Sequence, residues 1–112
     1  MTICDPGDVA LVRFVFTDES DAKRRPVVVL SSTEFNRRRH EVVVAAVTSN
    51  TSRLLPGDHL VERWHEAGLL YPSVVTAIIR TVKRDMVERR LGRLAHDDHR
   101  AFATGLAVVL GL

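Results

Sequence analysis

Short apolar runs rich in β-branched residues recur along the chain between polar turns. They cover residues 9–16, 26–32, 41–48 and 73–82, whereas residues 97–110 carry apolar side chains at helical spacing. Runs of this length and composition are typical of β-strands. Five or six short strands with one terminal helix predict a mainly β fold, a small and strongly bent sheet or barrel with a C-terminal helix.

The segments between these runs are less regular. Pro26 is expected at the first position of its strand, where a missing N–H costs little, and Asp97 is expected to cap the terminal helix. The remaining predictions are a polar loop at 36–40, a short edge strand at 58–62, a turn at 64–68, a helical turn at 84–90 and a last strand at 91–94.

Composition describes one folded domain. The chain has 112 residues, 46% of them apolar and 27% charged, which is the balance of an ordinary globular domain. No stretch approaches the length of a membrane span. The single Cys4 excludes an internal disulfide and fits a reducing compartment. We therefore predict one domain over residues 1–112, in the cytoplasm and without a membrane partner.

Positive charge is concentrated at one strand entrance. The net charge is only +2, and all 16 basic residues except Lys23 and Lys83 are arginines. Lys23, Arg24 and Arg25 stand directly before Pro26 and its apolar run. Because the arginine fork matches phosphate geometry, this position suits a phosphate-bearing ligand.

Pairing of the second and third runs gives these cations a neighbour. An antiparallel register that sets Ser32 opposite Glu41 also sets Arg25 opposite Thr48, next to Ser49 and Asn50. This edge is rich in donors and poor in carboxylates, so it suits an anion, including a phosphodiester in a pentacovalent state. The alternative is a solvated basic turn beside a strand terminator.

Other candidate sites are weaker. The histidines do not combine with acids at ligand spacing, so neither a metal site nor a cofactor is predicted. Cys4 has no visible activating partner, and Trp64 is interpreted as a packing residue rather than a base-stacking one. The predicted core consists of Phe14, Phe16, Val27, Val29, Val43, Ala45, Val47, Val74, Ile78 and Leu106.

Several motifs in order resemble the MazF/PemK family of toxin endoribonucleases. They are the GDV-LV-F-FTD opening, KRRPVVVLSS, VVVAAVTSN, AGLLYPSVV, IIRTV and a helix ending in VLGL. The resemblance implies a small SH3-like (CcdB/MazF-type) barrel and a homodimer whose groove binds single-stranded RNA. It also implies metal-independent, sequence-selective cleavage to 2′,3′-cyclic phosphate and 5′-OH ends, and a cognate antitoxin that blocks the groove.

The resemblance also assigns roles to residues. The arginine before the strand-two proline and the threonine of the strand-three motif are catalytic in MazF-type toxins, and these positions match Arg25 and Thr48. The residues expected to bind RNA are Lys23, Arg24, Ser49, Asn50 and Arg80.

One departure separates the chain from the Kid/PemK branch of the family. That branch uses an arginine and an aspartate on the strand that precedes its R-T-I segment, and these positions fall on Val75 and Ala77 here. Neither side chain can transfer a proton. The chain is then either a MazF-type nuclease that relies on Arg25 and Thr48 or a weakened nuclease.

Two other interpretations stay open. One is a binding protein on the same barrel, either a gyrase poison of the CcdB kind or a degenerate toxin that still binds its antitoxin. The Leu-Gly-Leu end argues against the gyrase poison, because CcdB-like toxins end in Trp-Gly-Ile. The other is a basic barrel that binds any single strand without cleaving it.

Overall fold

A computed structural model describes residues 4–15 and 22–112 of the chain. The predicted core residue Phe16 and most of the loop at 17–22 lie outside the described residues. The elements are β1 (Asp8–Val15), β2 (Ala22–Val29), α1 (Thr33–Arg39), β3 (Glu41–Thr48), β4 (His59–Leu60), β5 (Val74–Lys83), a 3₁₀ turn (Arg84–Met86), β6 (Val87–Arg93) and α2 (His96–Leu110).

The strands form one antiparallel sheet in the order β4-β5-β3-β2-β1-β6. The loop after edge strand β4 returns to edge strand β6, because the main chain at Gly68 packs directly on that of Leu91. A Cβ atom on Gly68 would lie 2.2 Å from the Leu91 carbonyl oxygen, and one on Gly92 would lie 2.3 Å from the Ala67 carbonyl oxygen. The predicted mainly β, bent architecture with a C-terminal helix is confirmed.

Apolar side chains cover both faces of the sheet. On one face Val9, Val28 and Ala45 pack with Phe102 and Leu106 of α2. The other face carries a second buried cluster of Cys4, Ala10, Val12, Val27, Val29, Val42, Val44 and Val82. No helix among the described residues is long and apolar enough to cross a bilayer.

Most predicted core positions are buried, namely Val27, Val29, Ala45, Val47, Val74 and Leu106. Phe14 and Val43 are half-buried. Ile78 is wrong as a core residue, because 63% of its surface is exposed. It lies in the stretch of β5 where the pairing with β3 shifts register, between the partners of Ala45 and Val47.

A short helix replaces the loop predicted at residues 36–40. Ser32 caps α1 by accepting a hydrogen bond from the Phe35 N–H over 3.1 Å, and His40 ends it in the left-handed conformation. Asn36 anchors the helix, because its fully buried amide donates to the Cys4 carbonyl over 2.8 Å. The polar, arginine-rich sequence of this segment does not predict a helix, because the helix is held in place by one buried polar side chain.

Three other boundaries differ from the predictions. Residues 87–90 belong to β6 rather than to a helical turn, because they pair with β1. Pro26 lies inside β2 rather than at its start, and the described pairs with β3 begin at Val27, after the residue that lacks an N–H. Helix α2 begins one residue before Asp97, with Ala95 as an N-cap that makes no side-chain bond.

Candidate functional site

The pairing of β2 with β3 brings the predicted catalytic residues to the same end of the sheet. The described pairs are Val27 with Ala46, Ala45 with Val28, and Val44 with Val29, which is the predicted register. Continued by two residues, this register sets Arg25 opposite Thr48. Because side chains alternate between faces along a strand, both residues fall on the face that carries the second core cluster.

A cleft of about 800 Å³ opens at this end of the sheet. Its walls come from the beginning of β2, the end of β3, residues 68–73 and β6. The lining residues are Leu11, Arg24, Arg25, Pro26, Val47, Thr48, Ser49, Gly68, Leu69, Leu70, Tyr71, Ser73, Arg89, Arg90 and Leu91. The described lining therefore contains four arginines and neither a carboxylate nor a histidine, which makes it a site for an anion.

The hydroxyl of Thr48 is oriented by the turn that follows it. Its oxygen accepts a hydrogen bond from the Asn50 N–H over 3.1 Å. The Asn50 side chain in turn accepts from the Ser52 N–H over 3.1 Å and from the Ser52 hydroxyl over 2.6 Å. With its oxygen already accepting, Thr48 can direct its own proton to a ligand oxygen. Asn50 does not line the cleft, and its contact with the site is the hydrogen bond from its backbone N–H to Thr48.

The two adjacent arginines of β2 differ in their partners. The Arg24 Nε atom lies 2.5 Å from the Glu88 carboxylate on β6. Arg25 is exposed and makes one long hydrogen bond, 3.4 Å from its Nη1 to the Arg24 carbonyl oxygen, and no ion pair with any described residue. Of these two arginines, Arg25 is therefore the one whose charge stays available to a ligand.

Lys23 and Arg80 lie outside the cleft lining. Lys23 pairs with Phe14 across the β1–β2 ladder, and the Arg80 guanidinium stacks over the ring of Phe14, 5.1 Å from its centroid. Both belong to the face that carries Arg25 and Thr48, since Arg80 pairs with Val44 of the second cluster. The structure thus separates these two predicted RNA-binding residues from the cleft that contains Arg24 and Ser49.

Two cleft arginines were missed at the sequence level. Arg89 and Arg90 lie in the first half of β6, within the segment 84–90 for which the sequence predicts a helical turn. Arg90 is paired, because its Nε lies 3.3 Å from the buried Asp8 carboxylate, whereas Arg89 is exposed and makes no ion pair with the described residues. Val87 packs against the second cluster and Leu91 against the first, and register shifts interrupt the pairing with β1, so no regular two-residue alternation marks this strand in the sequence.

A buried carboxylate fixes the segment that leads to the cleft wall. Asp98 of α2 accepts hydrogen bonds from the N–H groups of Glu62 and Arg63, each over 3.0 Å, and lies 2.8 Å from Nε2 of His59. Burial raises the pKa of Asp98, but the hydrogen bonds from Glu62, His59 and Arg63 outweigh it, so the pKa is lowered. The neighbouring Trp64 packs against the core.

Other ionisable groups do not form a second site. Burial raises the pKa of the Cys4 thiol, and the charges of Asp8 and Asp5 raise it further, so the thiol stays protonated at neutral pH. Within residues 4–15 and 22–112, no three His, Cys, Asp or Glu side chains converge as a metal site would require. Val75 is buried and Ala77 half-buried on β5, so neither position supplies an acid or a base.

Comparison with known proteins found a matching family model and several structures with the same fold. A family model described as PemK-like, MazF-like toxin of type II toxin–antitoxin system matches residues 5–110. An endoribonuclease from a mycobacterial species superposes with a TM-score of 0.76 at 25% identity, covering 100% of this chain and 95% of its own. No curated protein sequence matches the chain.

Two further structures share the fold at lower identity. MazE–MazF from Deinococcus radiodurans superposes with a TM-score of 0.84 at 21% identity, covering 100% of this chain and 99% of the other. A mycobacterial endoribonuclease in complex with its cognate antitoxin gives a TM-score of 0.75 at 24% identity, with coverage of 97% and 96%.

Proposed function

Because the chain belongs to the PemK-like, MazF-like toxins of type II toxin–antitoxin systems, we propose that it is an endoribonuclease that cleaves single-stranded RNA in the cleft beside Arg25 and Thr48. Cleavage of mRNA, with tRNA and rRNA as further substrates, stops translation and growth in the cytoplasm. The toxin domain covers residues 1–112. The observation that carries the proposal is the cleft lining, four arginines around an oriented threonine hydroxyl.

The reaction needs little from the protein, because RNA supplies its own nucleophile. The 2′-oxygen attacks the adjacent phosphorus, and its proton leaves to solvent water, because the described lining holds no carboxylate or histidine. The bond from phosphorus to the 5′-oxygen breaks, and this oxygen takes up a proton. The products are a 2′,3′-cyclic phosphate and a 5′-OH end. Holding the 2′-oxygen in line and stabilising the phosphoryl oxygens are the main contributions that such a site can make.

Each residue of the site has its own role in this cleavage reaction. Arg25 stabilises the charge on the phosphoryl oxygens, gives a proton to the leaving 5′-oxygen and regains one from solvent water. Thr48 donates a hydrogen bond from its hydroxyl to the same phosphoryl group. Ser49 contacts the RNA backbone next to Thr48. Arg24 in the cleft, and Lys23 and Arg80 around Phe14, attract the RNA backbone from outside the reacting centre. No cofactor and no metal ion has a role in this scheme.

The toxin acts as a homodimer that a cognate antitoxin inhibits. The described chain exposes several large apolar side chains, among them Leu54, Leu55, Ile78, Val108 and Val109. Val109 lies beside the turn at Gly57 and Ala77, because a Cβ atom on Gly57 would lie 2.8 Å from Val109 and 2.9 Å from Ala77. An exposed apolar surface of this kind favours a second copy. The arginine-lined cleft suits an acidic segment of the antitoxin, which would exclude RNA.

The test is incubation of the purified toxin with a defined single-stranded RNA in the presence of EDTA. We expect full cleavage and 2′,3′-cyclic phosphate ends. Arg25→Ala should lower kcat by about 10²–10³-fold, the range for the loss of one preorganised donor, and Thr48→Val should act in the same direction because it removes only the hydroxyl. The matched control is Arg38→Ala, which removes an exposed arginine of α1 outside the cleft.

Three results would contradict the proposal. They are loss of cleavage in EDTA, full activity of Arg25→Ala, and RNA that stays intact at every sequence offered. In the last case, tight salt-dependent binding without product would identify a binding protein on the same fold.

A further inference from the structure

We infer that Leu70 and Tyr71 form a base-binding subsite of the cleft, in which the tyrosine ring stacks on an unpaired RNA base next to the scissile phosphate and Arg89 holds a neighbouring phosphate. This inference rests on the proposed function, because it names the part of the RNA that one wall of the cleft recognises. Both residues of the pair line the cleft together with Arg89.

The first argument is exposure. Leu70 is 81% exposed and Tyr71, the only tyrosine of the chain, is 64% exposed, although they are adjacent and line a concave surface. An exposed apolar pair rimmed by charged residues marks an interaction site. Aromatic rings bind single-stranded nucleic acid by stacking on its bases.

The second argument is rigidity. The exposed tip at residues 70–72 lies between Leu69 and Ser73, which are both buried. The Leu69 N–H donates to the Trp64 carbonyl over 3.1 Å, and the Val61 N–H donates to the Ser73 carbonyl over 2.9 Å.

Within the tip, the Ser73 hydroxyl donates to the Tyr71 carbonyl over 2.7 Å, and Pro72 has a fixed φ angle. The backbone of the tyrosine is thus held before any ligand arrives, so binding spends little free energy on ordering it.

The third argument is charge, which favours an anionic ligand such as RNA over a neutral or basic protein surface as the occupant. Arg24 is paired with Glu88 and Arg90 with Asp8, whereas Arg89 makes no ion pair with the described residues. A nucleotide-binding site needs an aromatic ring that stacks on the base and an available arginine that binds the phosphate, and Tyr71 and Arg89 supply these two groups. The lining contains no described carboxylate that would repel the RNA backbone.

The experiment measures cleavage by the wild type, Tyr71→Ala and Tyr71→Phe. One substrate is an intact cleavable RNA, and the others are copies of it that each carry a single abasic nucleotide at a different position around the cut. We expect Tyr71→Ala to lower kcat/KM on intact RNA by about 5- to 150-fold, the range of one lost base stack. Tyr71→Phe should retain most activity, because the ring remains. At one abasic position, the wild-type toxin and Tyr71→Ala should cleave equally. The matched control is Leu112→Ala, an exposed apolar residue at the chain end, which should change nothing.

A second measurement reads binding alone. Anisotropy of a fluorescent oligonucleotide should show weaker binding by Tyr71→Ala for intact RNA but not for the critical abasic RNA. Arg89→Gln should weaken binding to both and reduce the salt slope by about 0.7.

The inference is overturned if Tyr71→Ala cleaves and binds like the wild type, if no abasic position removes the difference, or if sedimentation shows that Tyr71→Ala instead dissociates a dimer. Wild-type toxin that cleaves no RNA would defeat the proposed function, and the binding comparison would still decide the subsite.

Discussion

The carboxylate of Asp98 on α2 accepts a hydrogen bond from the backbone N–H of Arg63 over 3.0 Å, and its other oxygen accepts from the N–H of Glu62 at the same distance. A side chain of the terminal helix thus serves as the acceptor for a turn that is 35 residues away in sequence. From that turn the chain continues to residues 68–73, which line the cleft. The helix therefore supports the cleft wall as well as the core.

Removing this acceptor should destabilise the protein. In Asp98→Ala two backbone N–H groups lose their partner and His59 loses its contact, so we expect the free energy of unfolding to fall by about 1–3 kcal/mol. The measurement is urea unfolding at pH 7. Asp97→Ala, the exposed neighbour in the same helical turn, is the control and should change stability by less than about 0.5 kcal/mol. Equal losses of stability in Asp98→Ala and Asp97→Ala would show that the hydrogen bonds of Asp98 make no specific contribution to the free energy of unfolding.

Stability should depend on pH through His99. Burial lowers the pKa of His99, and the charges of Arg93 and His96 lower it further. The unfolded chain therefore binds this proton more readily. The contribution of the neutral ring to stability is complete above the unfolded pKa of about 6.5 and is lost as the pH falls through the folded pKa.

We expect the free energy of unfolding of the wild type to decrease more steeply between pH 7 and 5 than that of His99→Gln. His65→Gln, at an exposed histidine, should follow the wild type. Parallel curves for the wild type and His99→Gln would contradict this assignment.

Releasing Arg24 from its ion pair should tighten RNA binding. Glu88→Gln removes the carboxylate 2.5 Å from the Arg24 Nε, so one more cleft arginine becomes available and the salt slope should steepen by up to about 0.7. Anisotropy titrations in the Arg25→Ala background, for which we expect slow cleavage, measure this binding with little loss of intact RNA. Glu34→Gln makes the same charge change and releases Arg38 on α1, outside the cleft. An equal gain in RNA affinity in Glu88→Gln and Glu34→Gln would show that the effect comes from net charge alone.

The contact between Gly68 and Leu91 should not tolerate a side chain. Gly68 has a φ of +87°, and a Cβ atom there would lie 2.2 Å from the Leu91 carbonyl oxygen. We expect Gly68→Ala to cost about 2–4 kcal/mol. By contrast Gly105→Ala, inside α2 with nothing within 4 Å of the added Cβ, should stabilise the protein by about 0.5–1 kcal/mol. Thermal unfolding of both variants tests the pair, and a neutral Gly68→Ala would contradict the close packing.

The sequence predicted the parts of the fold that repeat a strong local pattern. The runs at β1, β3 and β5 and the periodic helix α2 are found where expected, and the register assumed for β2 and β3 agrees with the observed pairs. Helix α1 was missed because its tertiary anchor is a single buried amide, that of Asn36. The first half of strand β6 was missed because its polar residues become a strand only through pairing with β1, whereas its end overlaps the strand predicted at 91–94.

The candidate site was predictable only in part for the same reason. Arg25 and Thr48 follow from strand pairing, and both line the cleft. Arg89 and Tyr71 could not be assigned to it, because the wall that carries them is formed by the crossing of two backbones at Gly68 and Gly92. That contact depends on the absence of two side chains and leaves no periodic signal in the sequence.

The exposed tip at residues 70–72 has a consequence for how such toxins diversify. Its hydrogen-bond anchors, Leu69, Tyr71 and Ser73, bond through backbone groups and one serine hydroxyl, so the outward side chains can be exchanged without breaking them. Arg25 and Thr48 lie on other strands. With the base-binding role that we infer for Tyr71, substitutions at the tip redirect target choice while the residues proposed to react keep their positions, so a new specificity can evolve without passing through an inactive ancestor.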